Sequence, residues 1–213
     1  MKFDRKSLRL YAVTDRSWLG GAALEDRVEE ALRGGATFLQ LREKHLSGEA
    51  LLAEACKLKA LASRYGAPFV VNDDVRAALA CGADGVHVGQ EDMAARDVRA
   101  LLGPGRILGV SAHTVEEALA AERAGADYLG VGAMFATSTK PEAAPLPLST
   151  LREICAAVSI PVVAIGGITA ENLPALRGTG IEGVAVVSAL FARPDVEAAA
   201  RELRALAEGL VKA

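Results

Sequence analysis

The sequence contains no CxxC pair, no run of about 18 apolar residues and no strongly basic stretch, and each absence closes off a class of function. Its three cysteines, Cys56, Cys81 and Cys155, are too widely spaced for a zinc site and too few for a disulfide framework, so they read as small buried hydrophobes. A formal charge of -3 and a pI near 5.7 give no general attraction to nucleic acid or an anionic membrane surface. The first residues, MKFDRKSLRLYAVTD, lack the apolar run of a signal peptide, which leads us to expect a cytosolic protein. No GxSxG or paired Cys and His supports acyl transfer. Nor does a GxGxxG follow the first strand-like run, which argues against the rival doubly wound sheet. Aromatic residues are scarce at 4%, against 51% hydrophobic overall, so the core must rest on Ala, Val, Leu and Ile. That composition suits helices packed over buried parallel strands.

What is present is a repeat. GGATFLQLRE, CGADGVHVGQED, AGADYLGVGAMF and TGIEGVAVVSAL each join the end of a helix-like segment, through a capping glycine (Gly35, Gly82, Gly125, Gly180), to a buried strand. The runs LRLYAVTD, FVVND, RILGVSA and PVVAIGG add four more strands. Apolar spacing predicts helices between them, as with Leu24, Val28 and Leu32, or in TVEEALAAERAG, where Thr114 and Glu117 are set for a capping box. Eight strands alternating with eight helices predict an α/β fold of the (βα)8 TIM-barrel type, with 213 residues near that fold's lower size limit of about 200. No linker composition interrupts the chain, so residues 1–213 are expected to form one domain.

In such a barrel the chemistry belongs to the loops after the strands. Those strand ends read TD (Thr14, Asp15), QLREK (residues 40–44), NDD (residues 72–74), GQED (residues 89–92), SAH (residues 111–113), TSTK (residues 137–140), IGG (residues 165–167) and VVSAL (residues 186–190). Asp74 could cap the helix-like VRAALA, and Asp92 the segment MAARDVRALL. Capping explains one acid per loop and leaves Asp73 unassigned. Two carboxylates from adjacent strands suit Mg²⁺, which takes one or two of them and completes its shell with water and substrate phosphate oxygens. Arg42, Lys44 and Lys140 could bring positive charge to the same face, and Gly166, Gly167, Val187 and Ser188 fall where many barrels hold a phosphate. The histidines are dispersed: His87 inside a strand as a core residue, His45 in a loop, and His113 near the functional face without a role. They do not form a metal site.

QLREK, VVNDD, HVGQED, LGVSAHT, TSTK, AIGGI and VVSAL, in this order at these strand ends, closely resemble the thiamine-phosphate synthase (thiamine-phosphate pyrophosphorylase) family, from about Leu10 to Leu190. The resemblance implies a transferase that condenses hydroxymethylpyrimidine diphosphate with hydroxyethylthiazole phosphate, or its carboxylated form, by a dissociative substitution that releases diphosphate. It implies that Gln40, Leu41, Arg42, Glu43, Lys44 and Asn72 hold the pyrimidine diphosphate, with Ser111 and Lys140 also in contact, and that Asp73 and Asp92 hold Mg²⁺. Arg42, Lys44, Lys140 and Ser111 would carry the catalysis. Thr137, Ser138, Thr139, Gly167, Val187 and Ser188 would form the thiazole phosphate site. Its partners are then small molecules, with the oligomeric state left open. Ala133, Ala136 and Pro147 depart from the family's usual residues and bear on the TSTK loop. Two alternatives are a thiazole tautomerase on the same barrel, which would give the NDD and GQED acids no purpose, and a non-catalytic phosphate-binding barrel.

Overall fold

The structure, a computed structural model, describes residues 4–90, 93–137 and 144–211. Asp92, Ser138, Thr139 and Lys140 therefore lie outside the described residues. Eight short strands, β1 (Leu10–Val13), β2 (Phe38–Leu41), β3 (Phe69–Asn72), β4 (Gly85–Val88), β5 (Ile107–Ala112), β6 (Tyr128–Val131), β7 (Val162–Ile165) and β8 (Gly183–Val186), pair in sequence order into a closed barrel. Every pairing is parallel, including the closing one between β1 and β8, in which Tyr11 lies opposite Ala185. The fold is the expected (βα)8 barrel and not an open sheet.

Strand residues that point outward, such as Leu39, Leu41, Val71, Val86, Leu108 and Leu129, join the helices in one continuous apolar layer. Those that point inward, led by Tyr11, Phe38, Val70, Tyr128 and Val163, form a second, separate cluster. The outer layer is supplied by α1 (Leu24–Arg33), α2 (Gly48–Arg64), α3 (Val75–Ala80), α4 (Ala95–Leu102), α5 (Val115–Arg123), α6 (Leu148–Ala157) and α8 (Val196–Val211), with a single-turn α7 (Ser188–Phe191) after β8. In α1, Leu24, Val28, Ala31 and Leu32 are buried, a stripe of helical period along its inner face.

Expectation and structure part at several places. The β7 to β8 connection carries only a 3-10 turn, Leu173–Leu176, where the alternation predicted a helix. Pro174 near its start lacks an N–H, and Gly178 and Gly180 follow at positive φ, so the segment has no room to propagate an α-helix. The capping box is only half formed: the Thr114 hydroxyl accepts the Glu117 N–H, but the Glu117 carboxylate accepts the N–H of His113 instead of that of Thr114. The N-cap of α4 is Ala94, without a side-chain hydrogen bond of its own; Asp92, the cap expected for this segment, lies outside the described residues. Cys56 is exposed and Cys81 and Cys155 are partly buried, so the buried reading fails for Cys56; burial pushes the Cys155 thiol up to about 11.

The turns that lead into β2, β4 and β6 repeat one design. Gly35, Gly82 and Gly125 have positive φ, and with the following Ala36, Ala83 and Ala126 they bond back to Leu32 and Ala31, Leu79 and Ala78, and Glu122 and Ala121, which is the Schellman closure. The residue that follows each glycine-alanine pair then clamps the preceding strand. Thr37 accepts the Leu10 N–H at 2.9 Å, Asp84 that of Phe69 at 2.8 Å and Asp127 that of Leu108 at 2.8 Å. These clamps fix the N-terminal end of the barrel, leaving the other end to the loops.

Candidate active site

At the C-terminal end of the strands a cavity of about 140 Å³ opens into the barrel. Its floor is aromatic: the rings of Tyr11 and Phe38 lie 4.5 Å apart, and Tyr128 stands edge-on to both. Few aromatics serve the whole chain, and three of them fill this one volume. They fit because neighbouring strands carry glycine: a Cβ at Gly109 would lie 2.2 Å from the Tyr128 ring, and one at Gly130 would lie 3.2 Å from His87. Burial raises both phenols well above their ordinary range, so they stay protonated.

Above that floor, Gln40 of β2, Asn72 of β3, His87 of β4 and Ser111 of β5 face the cavity. The Gln40 amide donates to the Tyr11 hydroxyl, and Gln90 donates from its own amide to the Ser111 carbonyl. His87, 8% exposed, has both ring nitrogens engaged, Nδ1 with the Tyr128 hydroxyl at 2.9 Å and Nε2 with Ser111 Oγ at 3.1 Å. It is a satisfied core histidine, as its place in the strand suggested, but it also borders the site. His113 lines the cavity too, with its backbone N–H and Nδ1 on Glu117.

The loop after β2 divides its side chains by alternation. Gln40 and Arg42 line the cavity, whereas Leu41 lies in the outer apolar layer. Arg42 pairs with Asp15 at 3.4 Å, and its backbone is tied to the Thr14 hydroxyl. Glu43 turns inward under the rim, its side chain 1% exposed, and is bound by Arg16, which also reaches Glu54 at 3.3 Å. Burial alone would raise the Glu43 carboxyl, but the His45 N–H and Arg16 outweigh it and hold it below its ordinary value. Lys44 borders a neighbouring hollow together with Asp15, Arg16 and Glu43, and Arg42 is shared between the two.

After β3 the two acids separate. Asp74 caps α3, accepting the Ala77 N–H at 2.8 Å, as capping logic expects. Asp73 is exposed, holds a left-handed backbone at φ 63°, and accepts a hydrogen bond from the Asn72 amide. Non-glycine residues rarely take that conformation, although Asp is among the more tolerant. On the opposite wall, Gly166 and Gly167 have φ of 94° and 63°, and a Cβ on Gly167 would lie 2.4 Å from the Ala136 carbonyl. Only glycine lets β7 end this close to the loop after β6. Thr137, Gly167, Val187 and Ser188 all line the cavity there. Pro147 is the N-cap of α6 at φ -60°, a value its ring supplies, so the departure at that position fits the backbone.

The structure thus gathers Gln40, Arg42, Asn72, Ser111, Thr137, Gly167, Val187 and Ser188 around one cavity, and it does not bring Leu41, Glu43 or Lys44 to that lining. Tyr11 and His87 line the cavity without having been assigned to it, and Tyr128 lies behind them, hydrogen-bonded to both. Among the described residues, no three His, Cys, Asp or Glu side chains gather as a metal cluster.

A closed parallel barrel with polar side chains converging at the strands' C-terminal mouth over an apolar floor is the architecture of a (βα)8 enzyme. The family model described as thiamine monophosphate synthase matches residues 10–190. The thiamine-phosphate synthase of Chloroflexus aurantiacus is 54% identical over 93% of this chain and 92% of its own, and that of Ruminiclostridium cellulolyticum 49% identical over 91% and 92%. A solved structure of thiamine phosphate pyrophosphorylase from Pyrococcus furiosus superposes with a TM-score of 0.90 at 42% identity, covering 97% of this chain and 98% of that one. The chain belongs to the thiamine monophosphate synthase family, and it is a transferase of thiamine biosynthesis.

Proposed function

We propose that this barrel joins hydroxymethylpyrimidine diphosphate to hydroxyethylthiazole phosphate, giving thiamine phosphate and diphosphate, with Mg²⁺ as its cofactor. The observation that carries the metal assignment is the division of labour after β3: Asp74 is consumed by the α3 cap, so capping does not account for Asp73. The donor set fits a hard cation, since Asp73 and Asp92 offer carboxylate oxygen and Mg²⁺ needs only one or two such ligands from protein. Bound there, the ion would neutralise negative charge accumulating on the departing diphosphate.

The chain's own residues do the rest. Gln40, with one amide hydrogen on Tyr11, presents its remaining polar atoms to the pyrimidine, and Asn72 and Ser111 flank it. Arg42, Lys44 and Lys140 meet the charge of the leaving group; two unit charges 4 Å apart attract by about 4 kcal/mol at an effective dielectric of 20. Thr137, Ser138, Thr139, Gly167, Val187 and Ser188 hold the thiazole phosphate and so aim its ring nitrogen at the reacting carbon. That nitrogen is already a nucleophile, and no side chain need act as general base. The Tyr11, Phe38 and Tyr128 floor keeps water from a positively charged methylene. Among the described residues no helix is long and apolar enough to cross a membrane, which is compatible with the cytosolic setting we assign.

Incubating the purified protein with both substrates and Mg²⁺ and assaying for thiamine phosphate tests the reading. Product is expected; its absence would leave a tautomerase or a silent phosphate-binding barrel in its place.

A further inference from the structure

An unbroken line of hydrogen bonds crosses the barrel beneath the cavity and links five strands. Gln40 Nε2 donates to the Tyr11 hydroxyl; Tyr11 and Tyr128 share a hydrogen bond of 2.8 Å; Tyr128 meets His87 Nδ1 at 2.9 Å; and His87 Nε2 meets Ser111 Oγ at 3.1 Å. Each phenol owns one hydrogen, and an amide nitrogen can only donate. The Tyr11 oxygen therefore accepts from Gln40 and gives its hydrogen to Tyr128, which gives its own to Nδ1. Nδ1 must accept, so the ring proton sits on Nε2 and points at Ser111. The Ser111 hydrogen is left to point away from His87, toward the cavity. The reverse direction would aim the Tyr11 hydrogen at the Gln40 amide hydrogens, and an imidazolium would do the same.

We infer that Tyr11, Tyr128 and His87 are positioning residues: they hold His87 as the neutral Nε2–H tautomer and thereby fix Ser111 as a hydrogen-bond donor to the substrate. The part that concerns substrate rests on the function proposed above; the tautomer does not. A hydroxyl locked as donor selects a lone pair, whether a ring nitrogen or an anionic oxygen, and rejects a group that presents N–H or O–H at that spot. Two further observations support the line as built rather than incidental. Burial keeps both phenols protonated, so neither loses the hydrogen it must pass on. Gly109 leaves the space in which Tyr128 and His87 meet, since a Cβ there would lie 2.3 Å from the Tyr128 hydroxyl and 2.5 Å from His87 Nδ1.

Nitrogen-15 NMR of the imidazoles in the free, full-length protein at neutral pH reads the tautomer directly, with the His87 signals assigned by their loss in His87→Asn. A neutral ring protonated at Nε2 is expected; an Nδ1–H ring or an imidazolium overturns the inference, whatever the protein catalyses. Tyr128→Phe keeps the ring and cuts the line. It should lower kcat/KM by about fivefold to tenfold, the scale of one lost hydrogen bond, and should add nothing further in a Ser111→Ala background. A loss of equal size in that background would mean that Tyr128 does not act through Ser111. Should Tyr128→Phe fail to fold, Tyr11→Phe cuts the same line one bond earlier and is judged by the same double-mutant comparison.

Discussion

At the end of the barrel where the strands begin, Asp84 binds Lys59 at 2.8 Å and the Phe69 N–H at 2.8 Å, and Asp127 binds Arg99 at 2.6 Å and the Leu108 N–H at 2.8 Å. At the end where the strands finish, Asp73 stands exposed on a left-handed backbone, one residue before an aspartate that a helix cap does account for. On the function proposed above, the same residue type closes one rim and arms the other. A carboxylate shared between a cation and a strand N–H holds two elements in register, whereas one placed in an unfavourable backbone conformation at a polar mouth serves the fold poorly. The proposed function thus divides stability and chemistry between the two ends, which is the division expected of this barrel.

Substitutions at the two rims test that division. Asp92→Asn and Asp73→Asn should each lower thiamine phosphate formation about 100-fold or more at limiting Mg²⁺, the scale of losing a group that meets transition-state charge, with the melting temperature unchanged. Full activity in both would break the comparison at its catalytic end. Asp127→Ala should do the opposite, costing about 1–3 kcal/mol in urea unfolding because the Leu108 N–H loses its acceptor and Arg99 its carboxylate, keeping only the carbonyls of Gly103, Arg106 and Gly125, while folded protein keeps its turnover. A smaller, pH-dependent effect should come from Glu43. Its folded-state carboxyl lies below its unfolded value, so its contribution is complete above the unfolded pKa of about 4.3 and is lost as pH falls through the folded value. Acid unfolding of Glu43→Gln should therefore be less steep than that of the wild type, and identical profiles would show that the Arg16 pair contributes nothing.

Most of the barrel was legible because eight apolar runs are punctuated by glycine turns, and a strand buried on both faces needs no more signal than that. The β7 to β8 link was misjudged because LPAL holds too few residues to reveal a period. In the site, Gln40, Arg42, Asn72 and Ser111 could be read as polar residues at strand ends. Leu41 and Glu43 were drawn in by adjacency, although alternation turns both side chains away from the cavity when Gln40 and Arg42 face it: Leu41 joins the outer apolar layer and Glu43 is tied beneath the rim to Arg16. Tyr11 and Tyr128 escaped notice, and His87 was read only as a core residue, for the converse reason: where both faces of a strand are apolar, periodicity does not say which face is the interior. The glycines at 109 and 130, placed mid-barrel where only neighbouring bulk would require them, were the available signal.

Glu43 has one more consequence. It sits between Arg42 and Lys44 with its side chain tied beneath the rim to Arg16 and to the His45 N–H. A strip of chain whose middle residue is nailed inward cannot swing its two neighbours. The backbone freedom of this strip was surrendered when the barrel closed, so Arg42 and Lys44 project from a stretch of chain already set in place, and an anion binding there would have only side-chain rotations left to quench.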